Sequence, residues 1–178
     1  SGLPVVESAW LSEYSKGLIA LSGGFRGHIG KSVLDNNEEL FLKRIKYFQK
    51  IYGEDFVLEI SRINRPQEDL YNNFILSKAG ELGIPVVATN EVRFINKEDY
   101  EAHETRVCIQ NGEVLSDSKR SRIYFEDQYF LSPDEMNEKF SDIPEVLGNA
   151  YEISKKCNLE VETGIYVLPD FETPFKKT

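Results

Sequence analysis

Three short apolar runs, at residues 17–24, 55–62 and 85–89, are separated by segments whose apolar residues recur every three or four positions. This alternation constrains the fold more than any other feature of the chain. Phe41, Ile45, Phe48 and Tyr52 line one face of a helix predicted over residues 36–52, which Gly53 stops. Tyr71, Ile75, Ala79 and Leu82 line a second, over residues 66–82, ended by Gly83. Asn64 and Gln67 suggest a capping-box start for that second helix. Strand, helix, strand, helix, strand in apolar form argues for βαβ units and a parallel sheet.

Further along, Asn96 can cap a helix running to Gln110, with Asn111-Gly112 as its stop. Residues 113–129 read as a long loop or short hairpin. Ser132-Pro133-Asp134-Glu135 then has the form of a capping box with proline at the first helical position. A last helix from about residue 144 carries Val146, Ala150, Ile153 and Cys157 on one face, and the tail "VETGIYVLPDFETPFKKT" reads as an exit segment.

In a parallel sheet the three strands end side by side, at Ser22-Gly23-Gly24, at residues 59–62 and at residues 90–93. That shared rim is where α/β proteins keep their chemistry. Glu59 is an acid within an apolar strand. It reads as a metal ligand or general base, as an ion-pair partner of Arg62 or Arg93, or as a residue on a solvated face. Glu91 and Arg93, two apart, fit a structural ion pair better than catalysis. The glycine-rich "GGFRGHIGKS" ends like a phosphate-binding loop, but the glycine required five positions before Gly30 is Phe25. His28 and His103 are the only histidines, and the spacing of His103 from Tyr100 and Val107 suits a half-buried structural role.

With 30 acidic against 21 basic residues, the net charge is −9. The broad basic face that usually marks DNA binding is missing. Lys119-Arg120-Ser121-Arg122 is a local exception, read as a solvated basic loop rather than a phosphate contact. No apolar run approaches a membrane span, and Cys108 and Cys157 stand alone without ligand spacing. Together these fit a reducing, cytoplasmic setting.

The stretches "GLIALSGGFRGHIGKSVL", "FVLEISRINRPQEDLYNNFILSKAGELGIPVVATNEVRFINKEDYEAHETRVCIQNGE" and "SDIPEVLGNAYEISKKCNLEVETGIYVLPDF" resemble, in one order, the N-terminal PHP (polymerase and histidinol phosphatase) domain of bacterial replicative DNA polymerase III alpha subunits. The resemblance implies a partial PHP domain of α/β class, a distorted (β/α)7 TIM-like barrel with metal ligands on its C-terminal rim. Residues 1–168 would be the C-terminal two-thirds of that domain, and residues 169–178 an exit toward the polymerase palm.

Metal-binding members carry a cysteine where this chain has Gly24, a histidine four residues after Glu59 where it has Ile63, and Asn-Asp-x-His where it has Asn90-Glu91-Val92-Arg93. The implied rim of Gly24, Glu59, Ile63, Glu91 and Arg93 is thus a degenerate metal site, with Arg93 expected to supply the missing positive charge to Glu59 or Glu91. No catalytic residue and no metal are expected within these residues. The implied parent is a DNA-directed DNA polymerase, a nucleotidyltransferase of DNA replication, with magnesium at a palm site elsewhere. Its implied partners are the palm, the proofreading exonuclease and other replicase subunits, with DNA met only through the parent. The alternative is a free-standing metal-dependent PHP-type phosphoesterase.

Overall fold

The computed structural model describes residues 5–166. In chain order they form α1 (Ser8–Glu13), β1 (Ala20–Leu21), α2 (His28–Leu34), α3 (Glu38–Tyr52), β2 (Phe56–Ile60), α4 (Glu68–Leu82), β3 (Val86–Ala88), α5 (Tyr100–Asn111), α6 (Pro133–Lys139) and α7 (Glu145–Lys156). The expected segment at residues 169–178 lies outside the described residues. Among the described residues no helix is long and apolar enough to cross a membrane.

The three strands form a parallel sheet in the order β1-β2-β3. Its register pairs Ala20 with Phe56 and Leu21 with Val57, then Leu58 with Val86, Glu59 with Val87 and Ile60 with Ala88. Side chains alternate across a strand. Phe56, Leu58 and Ile60 of β2 join Val86 and Ala88 of β3 in one core with Phe41 and Ile45 of α3 and Tyr71 and Ile75 of α4. Phe48 stacks on Phe56 at 5.6 Å, and Phe41 meets Phe74 edge-on at 5.0 Å. Val57, Glu59 and Val87 stand on the opposite face, away from that helical core. On the far flank α7 packs against β3, and the Asn149 side chain donates to the Val86 carbonyl at 2.7 Å.

The α/β class and the parallel order are as the apolar pattern predicts, and three strands are the extent of the sheet among the described residues. Local details differ. The first run contributes only two residues of strand, because Gly23 turns the chain at φ +79°. A turn of 3₁₀ helix over Gly24–Arg26 follows, and the glycine-rich stretch expected to be a turn then continues as α2. A Cβ on Gly27 would lie 2.5 Å from the Ser22 carbonyl oxygen, and one on Gly30 would overlap the carbonyls of Gly24 and Phe25. These glycines let α2 press onto the preceding turn, so their role is packing and not a phosphate cradle.

The capping box expected at Asn64 and Gln67 does not form. Both residues are left-handed, at φ 59° and 64°. The Glu68 carboxylate instead takes the free Ile63 N–H at 2.8 Å and the Ser61 hydroxyl at 3.3 Å. Residues 113–129 make no hairpin and touch the strand layer through one parallel bridge, Phe94 to Tyr129. The capping box at Ser132 is present. Ser132 Oγ accepts from the Glu135 N–H, and Glu135 accepts from the Ser132 N–H at 2.8 Å.

Two measurements check this reading. Gly30→Ala should lower unfolding free energy by about 1–3 kcal/mol through overpacking. Gly80→Ala, in an exposed turn of α4 with open space around it, should raise it by about 0.5–1 kcal/mol. For the cap, the Ser132 N–H, the Tyr129 hydroxyl and the Ser132 hydroxyl hold the Glu135 carboxyl down to about 2, from an ordinary 4.5. A depressed carboxyl stabilises the fold above its unfolded value and loses that contribution as pH falls. The stability gap between the wild type and Glu135→Gln should therefore be full above pH 4.5 and close as pH falls toward 2, in denaturant melts run across that window.

Candidate functional site

The three strand ends do meet. Beyond the named strands the ladder continues from the Ser22 N–H to the Val57 carbonyl at 3.0 Å and from the Thr89 N–H to the Ile60 carbonyl at 2.9 Å. Glu59 lies at the centre of this rim. Its Oε2 accepts the Gly23 N–H at 2.6 Å, and its own N–H donates to Ser22 Oγ at 2.9 Å. The Tyr71 hydroxyl donates to the Glu59 carbonyl at 2.9 Å. Burial raises the Glu59 carboxyl above 4.5, the Gly23 N–H and Thr89 hydroxyl oppose the rise, and the nearby Glu91 charge adds to it. Burial likewise pushes the Tyr71 phenol well above its usual range. A Cβ placed on Gly24 would stand 3.8 Å from Glu59 Cβ, so a longer residue there would face the same carboxylate.

The positive charge at the rim is not the one the sequence suggests. Arg93 is exposed and lies over the Tyr124 ring at 5.5 Å, with its backbone N–H donated to the Gln128 carbonyl at 2.7 Å. Arg62 turns away to grip Asp142 with two bonds, of 2.6 and 2.8 Å. Neither pairs with Glu59. The cation that reaches Glu91 is Arg65, whose Nη2 is 2.7 Å from Glu91 Oε2, with side-chain exposures of 3% and 20%. Its guanidinium lies 4.6 Å from the Phe25 ring centre. Ile63 is fully buried, and Glu91 holds a left-handed φ of 43°.

A second layer clamps the segment after β3. Asn90 donates to the carbonyls of Asp127 and Tyr129, and the buried Gln128 donates to the Glu91 carbonyl at 3.1 Å. Beside it is a cleft of about 350 Å³ lined by Ile63, Asn64, Lys97, Tyr124, Phe125 and Asp127, among others. The basic run at residues 119–122 is not uniformly solvated. Arg120 is buried in an ion pair with Glu104 at 2.5 Å, which ties the long loop to α5. His103 packs edge-on to Tyr124 at 4.6 Å, while His28 is exposed on α2. Cys108 is buried and Cys157 exposed.

Gly24, Glu59 and Glu91 therefore stand together at the strand ends, whereas Ile63 is buried beyond β2 with its N–H on Glu68, and Arg93 is exposed over Tyr124. Arg65 and Gln128 are the residues that pattern reading misses. Pro66 biases the backbone before it toward an extended shape, but nothing in "INRPQ" reveals that Arg65 folds inward. Among the described residues no three His, Cys, Asp or Glu side chains converge, and a guanidinium sits against one of the rim carboxylates.

Residues 2–63 match the family model of the PHP domain. Over 98% of its length the chain is 44% identical to the DNA polymerase III subunit alpha of Pseudomonas aeruginosa. It is 45% identical over 96% of its length to that of Vibrio cholerae and 44% identical over 96% to that of Escherichia coli K12. The chain is thus homologous to DNA polymerase III alpha subunits along nearly all its length, and it spans about 15% of the length of those relatives.

The raised Glu59 carboxyl has a testable consequence. An acid whose folded value is raised favours the fold most below its unfolded value, and that advantage is lost as pH climbs through the folded value. The stability of the wild type relative to Glu59→Gln should fall as pH rises above 4.5, and the Glu59 carboxyl carbon should titrate above 4.5 by NMR.

Proposed function

We propose that this chain is a segment of a replicative DNA polymerase alpha subunit, and that its PHP rim is a scaffold built on a degenerate metal site. Residues 1–168 belong to the PHP domain and residues 169–178 lead toward the palm. The parent extends DNA in the cytoplasm by metal-assisted nucleotidyl transfer, with magnesium at catalytic carboxylates outside these residues. One observation carries the reading: 98% of the chain aligns at 44% identity with a stretch of such a subunit. The rim chemistry supports the scaffold half. Gly24 and Ile63 offer no donor atom, and Arg65 brings a permanent cation to Glu91. The net charge of −9 favours a protein contact, for which the proofreading exonuclease subunit is the proposed partner, over direct contact with DNA.

The test uses the full-length polypeptide that carries these residues. It should extend a primed template with deoxynucleoside triphosphates and Mg²⁺, and Glu59→Gln should leave that rate within about twofold. Absence of DNA synthesis, together with Mn²⁺- or Zn²⁺-dependent phosphoester hydrolysis that Glu59→Gln abolishes, would instead establish the phosphoesterase.

A further inference from the structure

Arg65 is buried in a way that demands an explanation. Its residue exposure is 6%, and its Nε, Nη1 and Nη2 atoms find no well-aligned hydrogen-bond acceptor among the described residues. The 2.7 Å approach of Nη2 to Glu91 Oε2 is therefore a contact of opposite charges rather than a straight hydrogen bond. Phe25, from the turn after β1, lies 4.6 Å from the guanidinium carbon, and Phe125, from the long loop, lies 5.9 Å away. The same charge acts on the buried Glu68 carboxylate at the start of α4. A dry cation with unmet donors is costly and persists only where opposite charge surrounds it.

The backbone is set to place it there. Asn64 and Gln67 on either side both take left-handed φ values, as does Glu91 opposite. Three non-glycine residues in that region around one ion pair mark a turn whose conformation is held by its surroundings.

We infer that Arg65 is the resident cation of this rim: a charge fixed to the chain that neutralises Glu91 and pins together the Phe25 turn, the segment after β3 and the loop at Phe125. It occupies the electrostatic role that a bound divalent ion plays where ligands converge. The rim consequently holds its shape without metal. The inference rests on the reading of the rim as a degenerate metal site.

Hydrogen–deuterium exchange of the full-length protein, followed in peptides covering residues 22–27, 89–95 and 121–129, tests it. Arg65→Met should speed exchange in all three by about tenfold or more, because it leaves the partly buried Glu91 carboxylate unpaired and empties the space between Phe25 and Phe125. Arg65→Lys, which keeps the charge but not the planar stack, should fall between. Glu91→Gln should loosen the same peptides by stranding the guanidinium. The double variant Arg65→Met/Glu91→Gln should be no worse than the more severe single change, since the two partners act as a unit. Should Arg65→Met fail to fold, Arg65→Lys and Glu91→Gln remain readable.

Exchange unaltered in Glu91→Gln, or strictly additive effects in the double variant, would overturn the pairing and reduce Arg65 to a packing residue. Protection of these peptides by Mn²⁺ in the unaltered protein would overturn the resident-cation role. The two readings fail separately. Unchanged exchange with DNA synthesis intact rejects only the role of Arg65, whereas absent DNA synthesis in the unaltered protein rejects only the polymerase reading.

Discussion

Glu59 closes the central strand on the face away from the helices, and burial there makes its ionised form costly. The groups that answer this cost come from different parts of the chain. The Gly23 N–H can point at the carboxylate because Gly23 turns at φ +79°. That turn is in turn packed so tightly by α2 that Gly27 and Gly30 have no room for a side chain. Thr89 comes from the end of β3, and Tyr71 of α4 fixes the Glu59 carbonyl. One half-buried glutamate therefore couples both neighbouring strand ends and a crossover helix to the middle of the sheet.

A similar logic orders the long segment after α5, which has no regular structure to hold it. Its anchors are polar and buried. Arg120 pairs with Glu104, Gln128 exchanges bonds with Glu91 and Arg93, and Phe125 leans toward Arg65. A loop fastened by side chains reaching into the rim positions the rim in return. The segment after β3 gains its left-handed Glu91 from this clamp, since a non-glycine residue holds such a φ only where its neighbours enforce it.

How much of this was legible follows from what each pattern encodes. Apolar periodicity reports burial, so α3, α4 and the parallel strands could be read from Phe41, Ile45, Tyr71 and Ile75 and from the runs at β2 and β3. Capping chemistry is local, so Ser132 and Glu135 announced α6. The same rule failed at Asn64 and Gln67, where Glu68 reaching back to Ile63 outbid a side-chain cap. The short helix α2 was hidden by its glycines, which read as turn residues but serve close approach to the turn just before the helix. The rim itself was legible, because parallel strands must end on one side. Its cation was not: Arg62, Arg65 and Arg93 all lie near strand ends, and spacing along the chain does not say which one turns inward.

The choice among those arginines decides what kind of rim this is. A divalent metal binds by collecting donor atoms from many directions, so it can satisfy several carboxylates at once. A guanidinium is planar and arrives on one tether, so it meets Glu91 with one nitrogen and spends its faces on Phe25 and Phe125. Glu59 must then be satisfied without it, and is, by the Gly23 N–H and Thr89. Arg93, exposed over Tyr124, could be exchanged with little effect on these carboxylates. The rim thus answers its two neighbouring carboxylates differently: a salt contact with Arg65 for Glu91, and backbone and hydroxyl donors for Glu59, whose carboxyl the Glu91 charge still raises.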